Sequence, residues 1–297
     1  MKYAITGSLG HISKSIVQGL VKEGHDVTVL TNSPERVAAI EQLGAKAAVG
    51  NVENANFVTA SFAGADAAYL MIPPNFGVSD WLGYQQKVAD NLVAAVVANG
   101  VKYLVVLSSV GAHMGTGAGP VDGLAYLEKA LEKYPELNVV NLRPSYFYYN
   151  LFSQIGMIKQ MGIMGSTQPS SHKLVLTHTE DIADAALALL LKPDFTGHRV
   201  QYIASDDSNT WEQVAKTLGS AIGKPELPYV EFTDEQSRQG MLQAGLSTTI
   251  ADGYTAMGKA LRNGEMEADY WKNRPQQFGK VKLADFAKEF ALAYNAS

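Results

Sequence analysis

Residues 5–13 read ITGSLGHIS. A short apolar run ends at Thr6, two glycines follow three apart at Gly7 and Gly10, and an amphipathic stretch begins by about His11. Strand, glycine turn and helix in that order make a context in which backbone amides can hold a diphosphate. Gly7 permits the tight turn, Gly10 lets a pyrophosphate approach the chain, and the helix N-terminus favours negative charge. A third glycine normally lets the helix pack closely on the sheet, and Ser13 stands in its place. Its hydroxymethyl group adds bulk and can also bond the carbonyl four residues back. The plainer alternative is that both glycines serve turn geometry alone.

The surrounding pattern bears on that choice. From residue 1 to about 145, short apolar runs alternate with amphipathic stretches, which is how repeated βαβ units around a parallel sheet are written. KYAIT, DVTVL, KAAVG, AAYLM and KYLVVLS read as strands buried on both faces. Helical stretches fall at 11–23, 34–43, 55–61 and 79–99, and a helix at 121–134 leads into a sixth strand, NVVNLR at 138–143. Right-handed crossovers then leave an α/β, doubly wound Rossmann sheet.

Beyond residue 145 the regularity breaks. LVLTH at 174–178 and RVQYI at 199–203 look like further strands flanking the apolar helix DIADAALALLL, and 281–294 reads as a closing amphipathic helix. The expected division is a dinucleotide-binding domain over 1–150, to which 174–204 returns, and a smaller, discontinuous C-terminal lobe from 151–173 and 205–297. Such a lobe would cap the carboxyl ends of the strands, where parallel sheets bind ligands.

Bulk properties narrow the function. The net charge of -5, with no Lys/Arg cluster, argues against nucleic acid as a direct partner. With no cysteines, disulfides, thiolate catalysis and thiolate-bound metals are excluded. The six histidines show no spacing with acids that suggests a metal site, and neither a G-x-S-x-G elbow nor a Walker lysine is present. MKYAITG starts directly as a strand rather than as a signal peptide, and no apolar run of about 18 residues occurs, so a cytoplasmic protein without a membrane partner is expected.

The second strand ends in VLTNSPER, residues 29–36. A carboxylate at that position would bind a ribose 2′-hydroxyl and select NAD. Thr31, Asn32, Ser33 and Arg36 stand there instead, offering hydroxyl, amide and guanidinium groups to a 2′-phosphate, so NADP(H) is expected over NAD(H). Ser33 and Pro34 also read as an ordinary helix start, and Arg36 as a solvated charge.

Together with Gly50-Asn51, IPPN at 72–75, LSSVGA at 107–112 and LRPSYFYYN at 142–150, these residues resemble the NmrA-like branch of the atypical short-chain dehydrogenases over nearly the whole chain. The resemblance implies an NAD(P)-binding Rossmann domain with a small lobe over the cleft. It assigns Gly7, Ser8, Leu9, Gly10, His11 and Ile12 to the pyrophosphate loop, Asn32 and Arg36 to the adenosine ribose, and Asn51 and Val52 to the adenine. Ile72, Pro73 and Pro74 would lie against the cofactor. Ser108 and Ser109 fall where the broader superfamily places a catalytic hydroxyl, and Tyr146, Phe147, Tyr148 and Tyr149 would line the nicotinamide pocket. Asn51 departs from the family's usual Asp, although an amide can still pair with an adenine edge.

The superfamily's Tyr-x-x-x-Lys pair is displaced. Lys129 has Ala125 four residues before it and Tyr126 one position late, a shift of about 100° around a helix. Tyr126, Lys129 and His113 remain the candidate catalytic side chains, with Lys129 also a candidate for the nicotinamide ribose. A quinone or conjugated carbonyl can accept hydride without that relay, so NADPH-dependent reduction of a small planar acceptor is the expected function. The alternative is a non-catalytic NADP(H) sensor acting on a protein partner.

Overall fold

Seven of the apolar runs lie side by side, every neighbouring pair parallel, in the computed structural model, which describes residues 1–297. They are β1 (Lys2–Ile5), β2 (Asp26–Thr31), β3 (Lys46–Val49), β4 (Ala67–Leu70), β5 (Tyr103–Leu107), β6 (Asn138–Pro144) and β10 (His198–Ile203). Their order across the sheet is β10-β6-β5-β4-β1-β2-β3, so the chain starts in the middle and winds outward in both directions. All carboxyl ends therefore reach the same edge, and the direction of winding reverses between β1 and β4.

Side chains alternate between two cores, as the two-residue strand period demands. Ala4, Leu30, Ala68, Leu70, Leu104 and Val106 face α3 (Ala55–Ser61), α4 (Trp81–Asn99) and α5 (Asp122–Leu131). Tyr3, Ile5, Val29, Tyr69, Val105 and Val140 face α1 (Ser13–Lys22), α2 (Val37–Gln42) and α7 (Thr179–Leu191). The long α4 is delimited at both ends. Asp80 accepts from the Gly83 amide at 2.9 Å at its start, and Gly100 closes it in the left-handed region at φ +62°.

The remaining elements are β7 (Tyr146–Phe147), α6 (Gln154–Met161), β8 (Met164–Ser166), β9 (Leu176–Thr177), α8 (Trp211–Ala221), β11 (Tyr229–Glu231), α9 (Asp234–Gln243), α10 (Thr248–Arg262), α11 (Ala268–Lys272) and α12 (Leu283–Ala296). β7 pairs with β9 and β8 with β11 in two small parallel sheets. Tyr148, Leu151, Trp211, Leu218, Phe286 and Phe290 build a third core around them. A fourth, with Val110, Ala125, Tyr202, Ala260, Met266 and Tyr270, seals α10 and α11 against the exits of β5 and β10.

Two expectations are corrected here. LVLTH yields only the two-residue β9 and stays out of the large sheet, because both edges of β6 are already taken by β5 and β10. Thr177 holds it above that edge, donating to the Ile203 carbonyl at 3.0 Å and accepting from the Ser145 amide at 3.2 Å. The single helix expected over 34–43 is a one-turn 3₁₀ segment, Pro34–Arg36, followed by the short α2. No helix is long and apolar enough to cross a membrane.

Candidate functional site

The glycine turn leaves β1 in a strained conformation. Gly7 has φ +88°, and Ser8, at φ +55°, is the one non-glycine residue with positive φ. The Gly10 amide closes the bend onto the Gly7 carbonyl at 3.1 Å. The amides of Leu9, His11 and Ile12 donate to no protein acceptor. They gather at the N-terminus of α1, whose cap residue Ile12 has no side-chain acceptor, so the partial positive charge there is uncompensated.

Ser13 is not a defect in this turn. Its Oγ donates to the Thr6 carbonyl at 3.0 Å, not to the carbonyl four residues back, and binds the helix to the end of β1. A Cβ on Gly7 would lie 2.8 Å from that same Oγ and 2.8 Å from Met71 Sδ, so the serine fills the space that glycine leaves. Ser8 is buried and donates to Thr31 Oγ1 at 2.9 Å, linking the turn to the end of β2.

At the β2 exit Asn32 and Arg36 are exposed, and Arg36 enters no ion pair. The carboxylate-free reading of this strand end needs correction. Glu35, three residues beyond Asn32, folds back and accepts from Ser33 Oγ, which with the backbone holds its carboxyl below the usual range. At the β3 exit, Asn51 Oδ1 accepts from the Glu53 amide at 2.9 Å and the Val52 carbonyl accepts from Asn91 at 2.9 Å. After β4, Ile72 is buried, the Pro73 carbonyl accepts from Tyr84 at 2.9 Å, and Pro74 is exposed.

Across the sheet edge, the exposed Tyr149 lays its ring over His11, with centroids 4.0 Å apart. The glycine turn thereby meets the segment that follows β6. Tyr146 is half-buried and edge-on to Trp211 at 5.5 Å. Phe147 instead packs against the α1/α7 core, and Tyr148 is fully buried and stacked on Phe286, so neither lines a cleft.

The three candidate catalytic side chains are not brought together. Tyr126 leans across to α4, where its hydroxyl donates to Asp90 Oδ1 at 2.9 Å. That bond is the main reason its pKa is raised. Lys129 is exposed on α5 with no ion-pair partner. His113 is exposed in the single turn Ala112–Met114 after β5.

Ser108 turns inward. Its hydroxyl donates to Glu128, which faces the sheet from α5 and is gripped by Arg143 through Nε at 3.0 Å and through Nη2. Arg143 continues to Tyr202 at 3.2 Å and Asp269 at 3.3 Å. Burial works against the Arg143 charge, yet the bonds and charge of Glu128 outweigh it and hold the guanidinium above its usual range. Ser109 beside it is half-buried. Sequence reading missed this buried chain because Glu128 looks like an ordinary helix charge until α5 is docked, and Arg143, although read within a strand, shows no partner nearby in sequence.

These features define a dinucleotide-type α/β protein: a parallel sheet wound in two directions, with a glycine turn at the reversal and a lobe over its carboxyl edge. The chain belongs to the NmrA-like family, whose profile matches residues 2–267. No curated protein matches it in sequence. Among solved structures it is similar to an NADPH-dependent quinone oxidoreductase from Escherichia coli complexed with NADPH, at 18% identity and TM-score 0.75, covering 97% of this chain and 99% of that one. A triphenylmethane reductase from Citrobacter sp., complexed with NADP(H), aligns at 16% identity and TM-score 0.78, covering 97% and 99%. A nucleoside-diphosphate-sugar epimerase from Staphylococcus aureus aligns at 15% identity and TM-score 0.76, covering 97% and 100%.

Proposed function

We propose that this protein binds NADP(H) along the carboxyl edge of its sheet and directs hydride transfer to a small planar acceptor, a quinone or a conjugated carbonyl. The observation that carries the reading is the strained Gly7–Ser8 bend, which leaves the Leu9, His11 and Ile12 amides without protein acceptors at the start of α1. Those amides fit a diphosphate. Asn32 and Arg36 fit the adenosine ribose and its 2′-phosphate, while Glu35 beside them opposes the phosphate. Asn51 and Val52 would flank the adenine, and Ile72, Pro73 and Pro74 the other end. The similarity to the E. coli quinone oxidoreductase and the Citrobacter triphenylmethane reductase supports this direction of chemistry.

Bound NADPH supplies the hydride. The chain's own contribution is alignment: phosphates fixed at α1, and the acceptor held flat among the aromatic groups. With Tyr126 tied to Asp90 and Ser108 tied to Glu128, the superfamily's usual proton path has no counterpart on α5 and β5. NADPH oxidation followed by absorbance should accelerate when quinones and enones are added. A flat response across such a panel, with NADPH bound, would remove the catalytic reading.

The same displaced relay supports a second reading, a sensor that binds NADP(H) and alters a protein partner. Unequal affinities for NADP+ and NADPH, without turnover, would favour it; equal affinities would leave it no signal to transmit.

A further inference from the structure

Tyr254 belongs to none of the motifs considered so far. It sits on the inward side of α10, with Ile250 one turn before it in the α3–α5 core and Gly258 one turn after it against Thr167. Its half-buried ring tilts over Trp81 at 5.6 Å, and Trp81 in turn meets Phe76 at 5.8 Å. Phe76 is 48% exposed just beyond IPPN, so this aromatic stack rises from the exit of β4.

Tyr146 approaches from the other side, at the exit of β6. Its ring meets Trp211, which stacks on Tyr229 at 5.4 Å. Tyr229 bonds the Gln168 carbonyl at 2.8 Å, and Gln168 donates to the Gly258 carbonyl at 2.8 Å, which brings the β7 aromatic group against the turn of α10 that follows Tyr254. Backbone contact fixes the register: a Cβ on Gly119 would lie 2.0 Å from the Gly253 carbonyl oxygen, so α10 rests directly on the loop leaving β5.

Neither the Tyr146 nor the Tyr254 hydroxyl enters a protein hydrogen bond, in contrast to Tyr84, Tyr126, Tyr202, Tyr229 and Tyr270. Beneath Tyr254 the buried Trp81 Nε1 also lacks an acceptor. Unpaired polar atoms among half-buried aromatic side chains are groups that can fix a ligand's orientation. We propose that Tyr146 and Tyr254 form a two-hydroxyl clamp for the acceptor's carbonyl oxygen, and that Tyr254 supplies the proton that Tyr126 cannot. Burial raises the pKa of both phenols, so both are protonated at neutral pH and Tyr254 gives up its proton only to an oxyanion more basic than its own buried phenolate.

This inference rests on the reductase reading above. For a quinone, hydride leaves NADPH, giving NADP+, and bonds to one carbonyl oxygen; the electron pair moves through the ring onto the other carbonyl oxygen, which takes the Tyr254 O–H proton to give hydroquinone. Water then returns a proton to Tyr254. A triarylmethane cation takes hydride at carbon and needs no proton at all.

That difference supplies the test. Y146F, Y254F and the unchanged protein are titrated with NADPH by fluorescence, then assayed on menadione and on a cationic triarylmethane dye. The expected result is unchanged NADPH affinity for Y254F, a loss of at least about tenfold in menadione kcat for Y254F, a raised menadione KM for Y146F, and unaltered dye reduction by Y254F. Equal losses on both acceptors, or loss on neither, would overturn the clamp. If the unchanged protein holds NADPH yet reduces nothing, the reductase reading and the proton transfer fall together. Quenching of tryptophan fluorescence by menadione then tests the clamp alone, and equal quenching in all three proteins overturns that too.

Discussion

The Ser13 hydroxyl donates to the Thr6 carbonyl at 3.0 Å, across the bend that carries Gly7 between them. This one bond replaces the close glycine contact that usually seats the first helix on its strand. Ser13→Ala would leave a buried carbonyl unpaired and should lower stability by about 1–2 kcal/mol in chemical denaturation. Nucleotide affinity should be unchanged, because the Leu9, His11 and Ile12 amides do not depend on the hydroxyl. Gly7→Ala is expected to damage both, since its Cβ would meet Met71 and Ser13 at a φ that disfavours any side chain. Unaltered nucleotide affinity in Gly7→Ala would detach the bend from binding.

The Glu128–Arg143 pair is a second structural dependence with a clear sign. Both side chains are buried, and Arg143 keeps only Asp269 as an acidic partner if Glu128 is removed. Glu128→Leu should therefore cost roughly 3 kcal/mol or more in folding free energy, largely from stranding the guanidinium. Replacing both members, Glu128→Leu with Arg143→Leu, should recover a large part of that loss. A double variant as unstable as the single one would mean that the cost lies in packing and not in charge.

Glu267 gives the protein a pH dependence. Burial pushes its carboxyl up to about 7, against opposing hydrogen bonds from Trp271 and the Val175 backbone and with a further push from Asp207. His172 Nε2 lies 3.8 Å away, and Asp207 is itself paired with Arg274. An unfolded carboxyl titrates near 4.5. Between those values the folded chain binds more protons than the unfolded one, so this group's contribution falls as pH rises through the window and costs roughly 3 kcal/mol above it. His172, held below its usual value by burial, works in the opposite sense at the upper part of the window. Comparing Glu267→Gln with the unchanged protein isolates the carboxyl: the variant should gain stability at pH 8 and match it at pH 4. A difference independent of pH would show that Glu267 does not titrate there.

How far the sequence was legible depends on which residues one asks about. The strands of the first half could be read because each is a short apolar run in a fixed alternation with helices, and a parallel sheet admits few arrangements of such units. Gly7 and Gly10 were legible for a local reason, the turn that one residue type tolerates best. Side-chain partners were not. Tyr126 could be placed off the Lys129 face by helix geometry, but nothing in GLAYLEKAL points to Asp90, which lies 36 residues earlier. Ser33 and Glu35 are two residues apart, yet their bond depends on a 3₁₀ turn where a regular helix was expected. Tyr148 sits inside an aromatic run that reads equally as a pocket wall or as a connection half in the core and half on the surface, and only the fold shows that Tyr148 is buried while Tyr149 is exposed. Tyr254 lies in a stretch read only as a mixture of Tyr, Met, Gly and short helices, and only the docking of α10 against Trp81 gives it a setting.

On the proposed reading, the choice between NADP(H) and NAD(H) turns on the few atoms after β2. Arg36 is exposed and uncommitted, which suits a 2′-phosphate, whereas Glu35 occupies the Ser33 hydroxyl and places a negative charge nearby. A 2′-phosphate bound there would feel the two in opposite directions. A charge-assisted bond to phosphate is worth about 1.5–3 kcal/mol, so Arg36→Ala should weaken NADPH roughly tenfold or more while leaving NADH nearly unaffected. Glu35→Gln should move the ratio the other way, because the Ser33 hydroxyl and the site are released from a carboxylate. Both shifts should shrink as salt is raised, since the groups are solvent-exposed. Calorimetric titration of each variant with both nucleotides measures this. Parallel changes for NADPH and NADH in Arg36→Ala would place the guanidinium on the shared diphosphate instead, and the preference would then have to come from Asn32 and Thr31.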